Sequence, residues 1–165
     1  MSNEAVLKKH KPLRENLLMI LHDLQDHHPQ HYLTEEALDD SARYLNLTRA
    51  EVYGVASYYS MFSFTPRGRY IIRVCVSAVC GLLESQAVMA KLEDLLGIRA
   101  GQTTPCGLFT LEVSECLGQC QEAPSMMVNG DVYNNLDDQR ISQVIEQLRE
   151  RGREGERERG RDFRA

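Results

Sequence analysis

The pattern of the chain changes at residues 70–76, which read Tyr-Ile-Ile-Arg-Val-Cys-Val. Such a compact run of β-branched and aromatic residues predicts a strand. A similar run at residues 108–113, Leu-Phe-Thr-Leu-Glu-Val, predicts a second strand. Further on, the pair Asn129-Gly130 predicts a hairpin with a type I′ turn, because both residues tolerate a positive φ. This part of the chain is therefore expected to form a small sheet.

Helical spacing surrounds these predicted strands. Residues 83–96 form one predicted helix, which stops at Gly97 and carries the apolar residues Val88, Leu92, Leu95 and Leu96. A last predicted helix carries Ile141, Val144, Ile145 and Leu148 at the same spacing. The resulting order β-α-β-β-β-α predicts an α/β (α+β) fold, in which helices pack on a small sheet.

The first 66 residues have a helical pattern without strands. Their first apolar stripe has spacings of three and four, and it consists of Leu13, Leu17, Ile20, Leu21 and Leu24. Pro29 ends that helix, because proline disfavours helical geometry in the residue before it. Thr34 is a predicted helix cap, and Thr48 with Glu51 has the form of a capping box. A helical N-terminal region is therefore expected.

The C-terminal tail, residues 149–165, carries seven arginines and five acidic residues. Ion pairs four residues apart can extend the last helix into it, but after Gly152 no apolar residue follows until Phe163. Disorder is therefore predicted for the tail, and its balanced charge does not suit an RNA-binding arm. The predicted organisation is a helical region at 1–66, a sheet-containing domain at 67–148 and this charged tail.

The charge of the chain argues against a nucleic-acid partner. The net charge is −5, and residues 1–148 carry 12 basic against 19 acidic residues. A protein region with this net negative charge repels the phosphate backbone of a nucleic acid. The N-terminus has no secretion-signal pattern, and the longest apolar run, Leu17 to Leu21, is too short to cross a bilayer. We expect a soluble, cytoplasmic protein without a direct membrane span.

Four of the five cysteines form two close pairs, Cys75-x4-Cys80 and Cys116-x3-Cys120, with 35 residues between the pairs. Each pair follows a predicted strand, so we expect both pairs to lie in loops. In a chain without a secretion signal, clustered cysteines are more typical of metal sites than of disulfides. Thiolates prefer soft metals, chiefly zinc and iron–sulfur clusters.

The spacing by itself leaves zinc and an iron–sulfur cluster open. Zinc knuckles commonly have two residues between paired ligands, and neither pair here does. Wider spacings suit the larger [2Fe–2S] cluster. Gly118 lies between the last two cysteines and Gly81 follows the second, and glycine lets backbone N–H groups approach sulfur closely. Such donors stabilise a negatively charged cluster, so the loop composition favours the cluster.

Longer motifs around the cysteines resemble those of one known family. They are residues 51–62 (Glu-Val-Tyr-Gly-Val-Ala-Ser-Tyr-Tyr-Ser-Met-Phe), Pro66-x-Gly68, 72–75 (Ile-Arg-Val-Cys), 115–120 (Glu-Cys-Leu-Gly-Gln-Cys) and Ala123-Pro124. Over roughly residues 13–148 the chain resembles the thioredoxin-like [2Fe–2S] ferredoxin family. That family includes the 24-kDa subunit of NADH:quinone oxidoreductase (complex I). Corresponding small subunits occur in NAD-linked or electron-bifurcating hydrogenases and in NAD-dependent formate dehydrogenases.

The resemblance implies a thioredoxin-like fold for residues 67–148 and one [2Fe–2S] cluster, with one pair of cysteines on each iron. The implied ligands are Cys75, Cys80, Cys116 and Cys120. It also implies electron transfer beside a flavin- and NAD(P)H-binding iron–sulfur subunit of the same oxidoreductase complex. FMN and NAD(P)H are expected on that partner, because this chain has no glycine-rich dinucleotide fingerprint. We assign no catalytic residue, since no general base or activated nucleophile is indicated.

Three positions depart from the family pattern. Relatives usually have a bulky residue where Gly81 stands, a glycine near Glu84 and a proline where Thr34 stands. The loop after Cys80 is therefore expected to be atypical. Pro124 stands where thioredoxin-like folds often have a cis-proline.

Other candidate residues are expected to have ordinary roles. Cys106 lies in a predicted turn and is expected to be a thiol outside the ligand set. The histidines at positions 27, 28 and 31 have no matching ligand set, and a solvated turn is expected for them. The aromatic-rich residues 58–62 fit core packing and partner docking equally well.

Two competing functions use the same cysteines. One is a structural adaptor protein whose fold is held together by a bound zinc ion, with no redox role. The other is a thiol–disulfide oxidoreductase, which the thioredoxin-like order of elements suggests. The second is disfavoured, because the sequence has no Cys-x-x-Cys motif at the start of a predicted helix.

Overall fold

The computed structural model describes residues 2–162 and, within them, the side chains of residues 2–154. Contacts within the chain divide it into two units, Met1–Arg67 and Gly68–Ala165. Helices and a four-stranded mixed sheet are present, which confirms the predicted fold class. None of the helices in the described residues is both long and apolar enough to cross a membrane.

The first unit is helical. Its helices are α1 (Asn3–Leu7), α2 (Leu17–His27), α3 (Glu35–Leu45) and α4 (Arg49–Tyr58). All four contribute to one apolar core, whose fully or almost fully buried members include Val6, Ile20, Leu21, Leu24, Leu38, Ala42, Val52 and Ala56. The predicted stripe on α2 is confirmed from Leu17 onward, whereas Leu13 precedes the helix and is exposed. Each large apolar side chain buried in this way contributes about 1.5–3 kcal/mol.

Two helix starts in this unit are capped as the sequence predicts. The Thr34 hydroxyl accepts a hydrogen bond from the Ala37 N–H at 3.1 Å. Thr48 accepts one from the Glu51 N–H at 3.2 Å, and the Glu51 carboxylate accepts one from the Thr48 N–H at 2.9 Å. The second arrangement is the predicted capping box. Such caps stabilise a helix by about 1 kcal/mol each, and they determine where α3 and α4 begin.

The second unit is built on the sheet. Its elements are β1 (Tyr70–Cys75), α5 (Ala78–Leu82), α6 (Ser85–Leu96), β2 (Phe109–Ser114), β3 (Met126–Val128), β4 (Asp131–Tyr133) and α7 (Asp138–Asp162). The strands lie in the order β2-β1-β3-β4. β1 is parallel to β2 and antiparallel to β3, and β3 is antiparallel to β4. Both predicted strands and the predicted hairpin are confirmed.

One face of the central strands is buried against helices. Ile72 and Val74 of β1 and Leu111 of β2 point to this face. They share a core with the apolar stripes of α6 and α7, whose buried members are Val88, Leu92, Ile141, Val144, Ile145 and Leu148. A slip of one residue would turn the apolar side chains of a strand to the opposite face. The core therefore fixes the register of the parallel pair.

Two helical segments differ from the sequence-based expectations. The short helix α5 was not predicted, because five residues are too few to show helical periodicity. α7 continues past Gly152 to Asp162, over a stretch where disorder was predicted. Arginine and glutamate are good helix formers, Gly152 is buried against the Leu108 side chain, and Arg153 pairs with Glu146 at 3.1 Å. Residues 163–165 of the predicted tail lie outside the described residues.

The hairpin turn also differs in type. Asn129 has a φ of 53°, but Gly130 does not have the positive φ that a type I′ turn also needs. The Asn129 side chain is used instead to hold the start of β1. Its Oδ1 accepts the Ile71 N–H at 2.9 Å, and its Nδ2 donates to the Arg69 carbonyl at 3.3 Å. The asparagine therefore ties the turn to the neighbouring strand.

Candidate metal centre

The two parallel strands bring two cysteines to one end of the sheet. Cys75 is the last residue of β1, and it is paired with Ser114, the last residue of β2. Cys116 follows Ser114 by two residues. Because neighbouring parallel strands end at the same edge, the loops that carry both cysteine pairs start from the same place.

Cys80 reaches this end of the sheet from α5. This corrects the expectation that both pairs lie in loops, because Cys80 is part of the five-residue helix Ala78–Leu82. Its thiol hydrogen bonds with Cys75. The two residues are almost completely buried, with exposed fractions of 1% for Cys75 and 2% for Cys80. Gly81 donates its N–H to the Ser77 carbonyl at 2.8 Å within this turn, so this N–H is directed at a backbone oxygen and not at sulfur.

Cys116 and Cys120 form a second pair, which is exposed. Their Sγ atoms lie 3.6 Å apart. The chain between them turns at Gly118, whose φ of +77° is a conformation that glycine adopts readily. The turn directs the Gly118 N–H to Cys116 Sγ, at 3.4 Å. The predicted use of Gly118, to aim a backbone donor at sulfur, is confirmed.

Opposing effects act on the pKa of Cys75. Burial raises the pKa of this thiol, because it disfavours the charged form. The backbone N–H groups of Ser77 and Leu117 donate to the sulfur and lower the pKa. The side chains of Cys80 and Ser77 lower it further, and the net shift is downward. The same donors would stabilise a sulfur that carries negative charge as a metal ligand.

The pKa of Cys120 shifts upward. Its hydrogen bond with Cys116 and the charge of that residue are the largest causes, and burial adds to them. The charges of Cys80 and Cys75 raise the pKa of Cys120 further, so the buried pair acts on the exposed pair. Four thiolates this close repel one another unless positive charge lies among them. A metal group would supply that charge.

The donor set fits a thiolate-bound iron–sulfur cluster. Four thiols gather at one end of the sheet as two pairs, and N–H groups point at sulfur in each pair. Thiolates are the usual ligands of such clusters, and hydrogen bonds to sulfur are their usual support. Among the side chains of residues 2–154, no three His, Cys, Asp or Glu groups gather tightly enough to hold a single ion.

Cys106 lies at the opposite end of the strands. It precedes β2, which begins beside Tyr70, whereas Cys75 lies where β1 ends. A strand of that length spans roughly 20 Å. The exposed Cys106 thiol donates to Thr104 Oγ1 at 3.4 Å. The structure therefore does not bring Cys106 together with the other four cysteines.

The histidines and the aromatic-rich segment belong to the first unit. His28 Nδ1 accepts the Gln30 N–H at 3.2 Å, and its ring lies edge-on to Tyr32. Within the described side chains no metal-binding group includes these histidines. The aromatic-rich residues 58–62 divide between two environments, since Phe62 is buried in the core and Tyr58 is exposed.

Two residues at the site could not be recognised from the sequence. Ser125 is buried, and its Oγ lies 3.7 Å from Cys80 Sγ. It follows Pro124, whose peptide bond with Ala123 is cis. Ser77 donates to Cys75 through both its backbone and its side chain. Each serine lies close to a recognised motif, but nothing in the sequence distinguishes it from an ordinary polar loop residue.

Several known proteins are similar to this chain. The family model for the thioredoxin-like [2Fe–2S] ferredoxin matches residues 3–149. An NADH-quinone oxidoreductase subunit of Rhizobium meliloti is 37% identical over 146 residues, which cover 88% of this chain and 86% of that protein. The corresponding NADH-quinone oxidoreductase subunit of Aquifex aeolicus is 37% identical over 132 residues, which cover 80% of this chain and 81% of that protein.

A solved structure also resembles this chain. It is a crystal structure of an NAD+-reducing [NiFe]-hydrogenase in the air-oxidized state, with a TM-score of 0.73 and 27% sequence identity. The match covers 82% of this chain but 23% of the hydrogenase chain, so this chain corresponds to about a quarter of that chain. Taken with the family match over residues 3–149 and the four gathered cysteines, these similarities show that the chain belongs to the thioredoxin-like [2Fe–2S] ferredoxin family.

Proposed function

We propose that this chain is an electron-transfer subunit that carries one [2Fe–2S] cluster on Cys75, Cys80, Cys116 and Cys120. Residues 67–148 form the cluster-binding domain. The observation that carries the proposal is the gathering of four thiols, as two pairs, where β1 and β2 end. The family match supports the type of cluster. Such a cluster supplies the uptake and release of one electron.

Each pair of cysteines has a distinct task. Cys75 and Cys80 bind one iron within the folded domain, where their burial keeps water from the sulfur atoms. Cys116 and Cys120 bind the other iron at the surface of the chain. The N–H groups of Leu117 and Gly118 offset negative charge on sulfur in the two pairs. Charge-assisted hydrogen bonds of this kind favour the state with the extra electron.

The partner is a flavin- and NAD(P)H-binding iron–sulfur subunit of the same complex. Two relatives are named as subunits of NADH-quinone oxidoreductase, and the structural relative is an NAD+-reducing hydrogenase. A nicotinamide delivers two electrons together, whereas flavin can pass them on singly. A one-electron centre held by these four cysteines would accept the electrons of a reduced flavin one at a time and would pass each on to an acceptor of the complex.

An exposed apolar rim next to the buried cysteines suits contact with this partner. The rim consists of Val76, Val79 and Leu82, which flank Cys75 and Cys80 along the chain. Leu82 is 85% exposed although it is a large apolar residue. Contiguous exposed apolar surface is typical of protein–protein interfaces. Contact here would bring the partner next to the cysteine site.

The ligand set is tested by single serine variants of the full chain, purified without oxygen. Cys75→Ser, Cys80→Ser, Cys116→Ser and Cys120→Ser should each lose most of the iron and acid-labile sulfide. Cys106→Ser is the matched control and should retain both, because Cys106 lies at the other end of the strands. Full loading in two of the four site variants, or loss of loading in Cys106→Ser, would refute the ligand set.

A further inference from the structure

Ser125 contacts both members of the buried cysteine pair. Its backbone carbonyl accepts the Cys75 N–H at 3.1 Å, where β3 begins to pair with β1. Its hydroxyl lies 3.7 Å from Cys80 Sγ, within the range of hydrogen bonds to sulfur. The backbone contact and the pairing of Met126 with Val74 hold the serine in place. The sheet therefore fixes the backbone from which the hydroxyl extends.

The environment of this hydroxyl makes its contact with sulfur significant. Ser125 is 1% exposed, so water does not compete for its hydroxyl. In a buried site of low dielectric a hydrogen bond is electrostatically stronger than it is at the surface. Among the described residues, the hydrogen-bond partner of the Ser125 side chain is Cys80. The hydroxyl therefore has its hydrogen-bonding capacity directed at a predicted ligand atom.

The charge state of the sulfur decides which atom donates. A cysteine that binds iron is a thiolate without a proton, so it can only accept a hydrogen bond. The Ser125 hydroxyl would therefore donate to Cys80 Sγ. A donor to a ligand sulfur withdraws negative charge from it and favours the reduced, more negative state.

We propose that Ser125 is a positioning residue that donates a hydrogen bond to Cys80 Sγ and thereby raises the reduction potential of the cluster. This inference rests on the proposed function, because it assumes a cluster on the four cysteines. Cys75 and Cys116 receive backbone N–H groups, which most residue types would provide. Cys80 receives a side-chain hydroxyl, so its support depends on which residue follows Pro124. The potential can therefore be adjusted by a single substitution at this position.

The test is an EPR-monitored redox titration of the full chain, loaded with its cluster without oxygen. Ser125→Ala should lower the equilibrium constant for one-electron reduction about tenfold, which corresponds to ~59 mV. Ser85→Ala is the matched control, because Ser85 is equally buried and in the same unit, and its hydroxyl has no partner within the described residues. The control should leave the midpoint potential unchanged. If Ser125 had only a structural role, Ser125→Ala would change the amount of cluster bound or the free energy of unfolding. The clusters that do assemble would then keep the wild-type midpoint potential.

A second pair of variants separates the hydroxyl from the shape of the side chain. Ser125→Thr keeps a hydroxyl at this position. Ser125→Val introduces a side chain of nearly the same shape as threonine but without a hydroxyl. Ser125→Thr should keep the wild-type potential, and Ser125→Val should show the lower potential of Ser125→Ala. If neither hydroxyl-free variant takes up a cluster while Ser125→Thr does, the contact is again supported, because threonine restores the hydroxyl.

Three outcomes would overturn the inference, and they can be distinguished from one another. A wild-type chain without a cluster would overturn the proposed function, and this inference with it. If the wild-type chain carries a cluster, and both Ser125→Ala and Ser125→Val have the same midpoint potential as the wild type, only the role of Ser125 is overturned. The proposed function is then unaffected. If Ser125→Thr, Ser125→Ala and Ser125→Val all fail to take up a cluster, the role of Ser125 is also overturned. The reason is that threonine restores the hydroxyl and should therefore restore cluster binding.

Discussion

Burial separates the four site cysteines into two classes. Cys75 and Cys80 are almost completely buried, whereas Cys116 and Cys120 are exposed, as is Cys106. The reactivity of a thiol depends both on its pKa and on access by the reagent. Hydrogen bonds lower the pKa of Cys75, but burial keeps a reagent from reaching it. Access should therefore decide the order in which the five thiols react.

Alkylation of the metal-free chain should follow this order. We expect iodoacetamide to modify the three exposed cysteines quickly and the buried pair slowly, as measured by mass spectrometry over time. Loading with iron and sulfide should protect Cys116 and Cys120 and leave Cys106 reactive, because a metal-bound thiolate is not free to attack. Protection of Cys106 on loading, or rapid modification of Cys75 in the metal-free chain, would be inconsistent with the site described.

Glu84 shows at residue scale why a departure from the family pattern matters. It has a φ of +67°, in the left-handed region that costs a residue with a side chain about 1–2 kcal/mol. This gives a physical reason for the glycine that relatives usually have near this position. The residue lies between α5 and α6, so the strain falls in the connection that follows Cys80.

Substitutions at the two ends of α6 should have opposite effects. Glu84→Gly should raise the free energy of unfolding by about 0.5–1 kcal/mol, because glycine adopts the left-handed conformation without strain. Gly97 has the same φ of +67° and open space around its Cβ position, so Gly97→Ala should lower the free energy by about 1 kcal/mol. Urea denaturation measures both changes. A destabilised Glu84→Gly would show that its side chain matters more than its backbone conformation.

Some residue-scale features could be predicted from the sequence, and others could not. The cysteine pairs, Gly118 and the helix caps carry local signals, because their chemistry depends on spacing along the chain. The Ser125 contact with Cys80 joins positions 45 residues apart. It depends on the pairing of β3 with β1, which the sequence does not specify residue by residue.

At the scale of elements, the Pro66-x-Gly68 motif has a packing explanation. A Cβ atom at Gly68 would lie 2.8 Å from the backbone carbon of Phe109 and 2.9 Å from its nitrogen. The Gly68 N–H also donates to Thr110 Oγ1 at 2.6 Å. The glycine thus allows the start of β1 to approach β2 closely. This approach helps set the parallel pairing that brings Cys75 and Cys116 to one end of the sheet.

Gly68→Ala should destabilise the protein by about 1–3 kcal/mol, because its methyl group meets backbone atoms that cannot move aside. Gly130→Ala is the matched control, because a Cβ there has open space and the φ of Gly130 is not positive. The control should change the free energy of unfolding by less than about 0.5 kcal/mol. Chemical denaturation of both variants measures the difference. Equal stability of the two variants would mean that the strands separate easily at this point.

Long periodic elements could be predicted more securely than short ones. The strands at residues 70–76 and 108–113 were placed to within about one residue of β1 and β2 at each end. The helix α5 was missed, because a five-residue helix shows no repeat. At Gly152, where α7 continues beyond the predicted helix, the chain packs against the Leu108 side chain. Such contacts do not appear in local patterns of charge and hydropathy.

At the scale of the whole molecule, the apolar rim is the feature that leads beyond the single chain. Val76, Val79 and Leu82 are exposed next to the buried cysteines. Burying one large apolar side chain in an interface is worth about 1.5–3 kcal/mol. A charge placed there would have to be desolvated on binding, which adds to the loss.

Leu82→Glu should therefore weaken assembly with the proposed flavin-binding partner without removing the proposed cluster. A tagged chain, produced in its native host, should lose most of its co-purifying flavin and keep its iron. Val132→Glu is the control, because Val132 is an exposed apolar residue on β4 rather than beside the cysteines. It should retain both flavin and iron. Full retention of flavin by Leu82→Glu would place the partner interface elsewhere.

The central claim is that the four cysteines hold one [2Fe–2S] cluster, and metal content together with EPR tests it most directly. The full chain, purified without oxygen, should be reddish and contain two irons and two acid-labile sulfides per chain. After reduction it should give a rhombic or axial EPR signal that integrates to one spin per cluster. A colourless chain that contains one zinc and gives no signal on reduction would contradict the claim and favour a zinc-stapled adaptor.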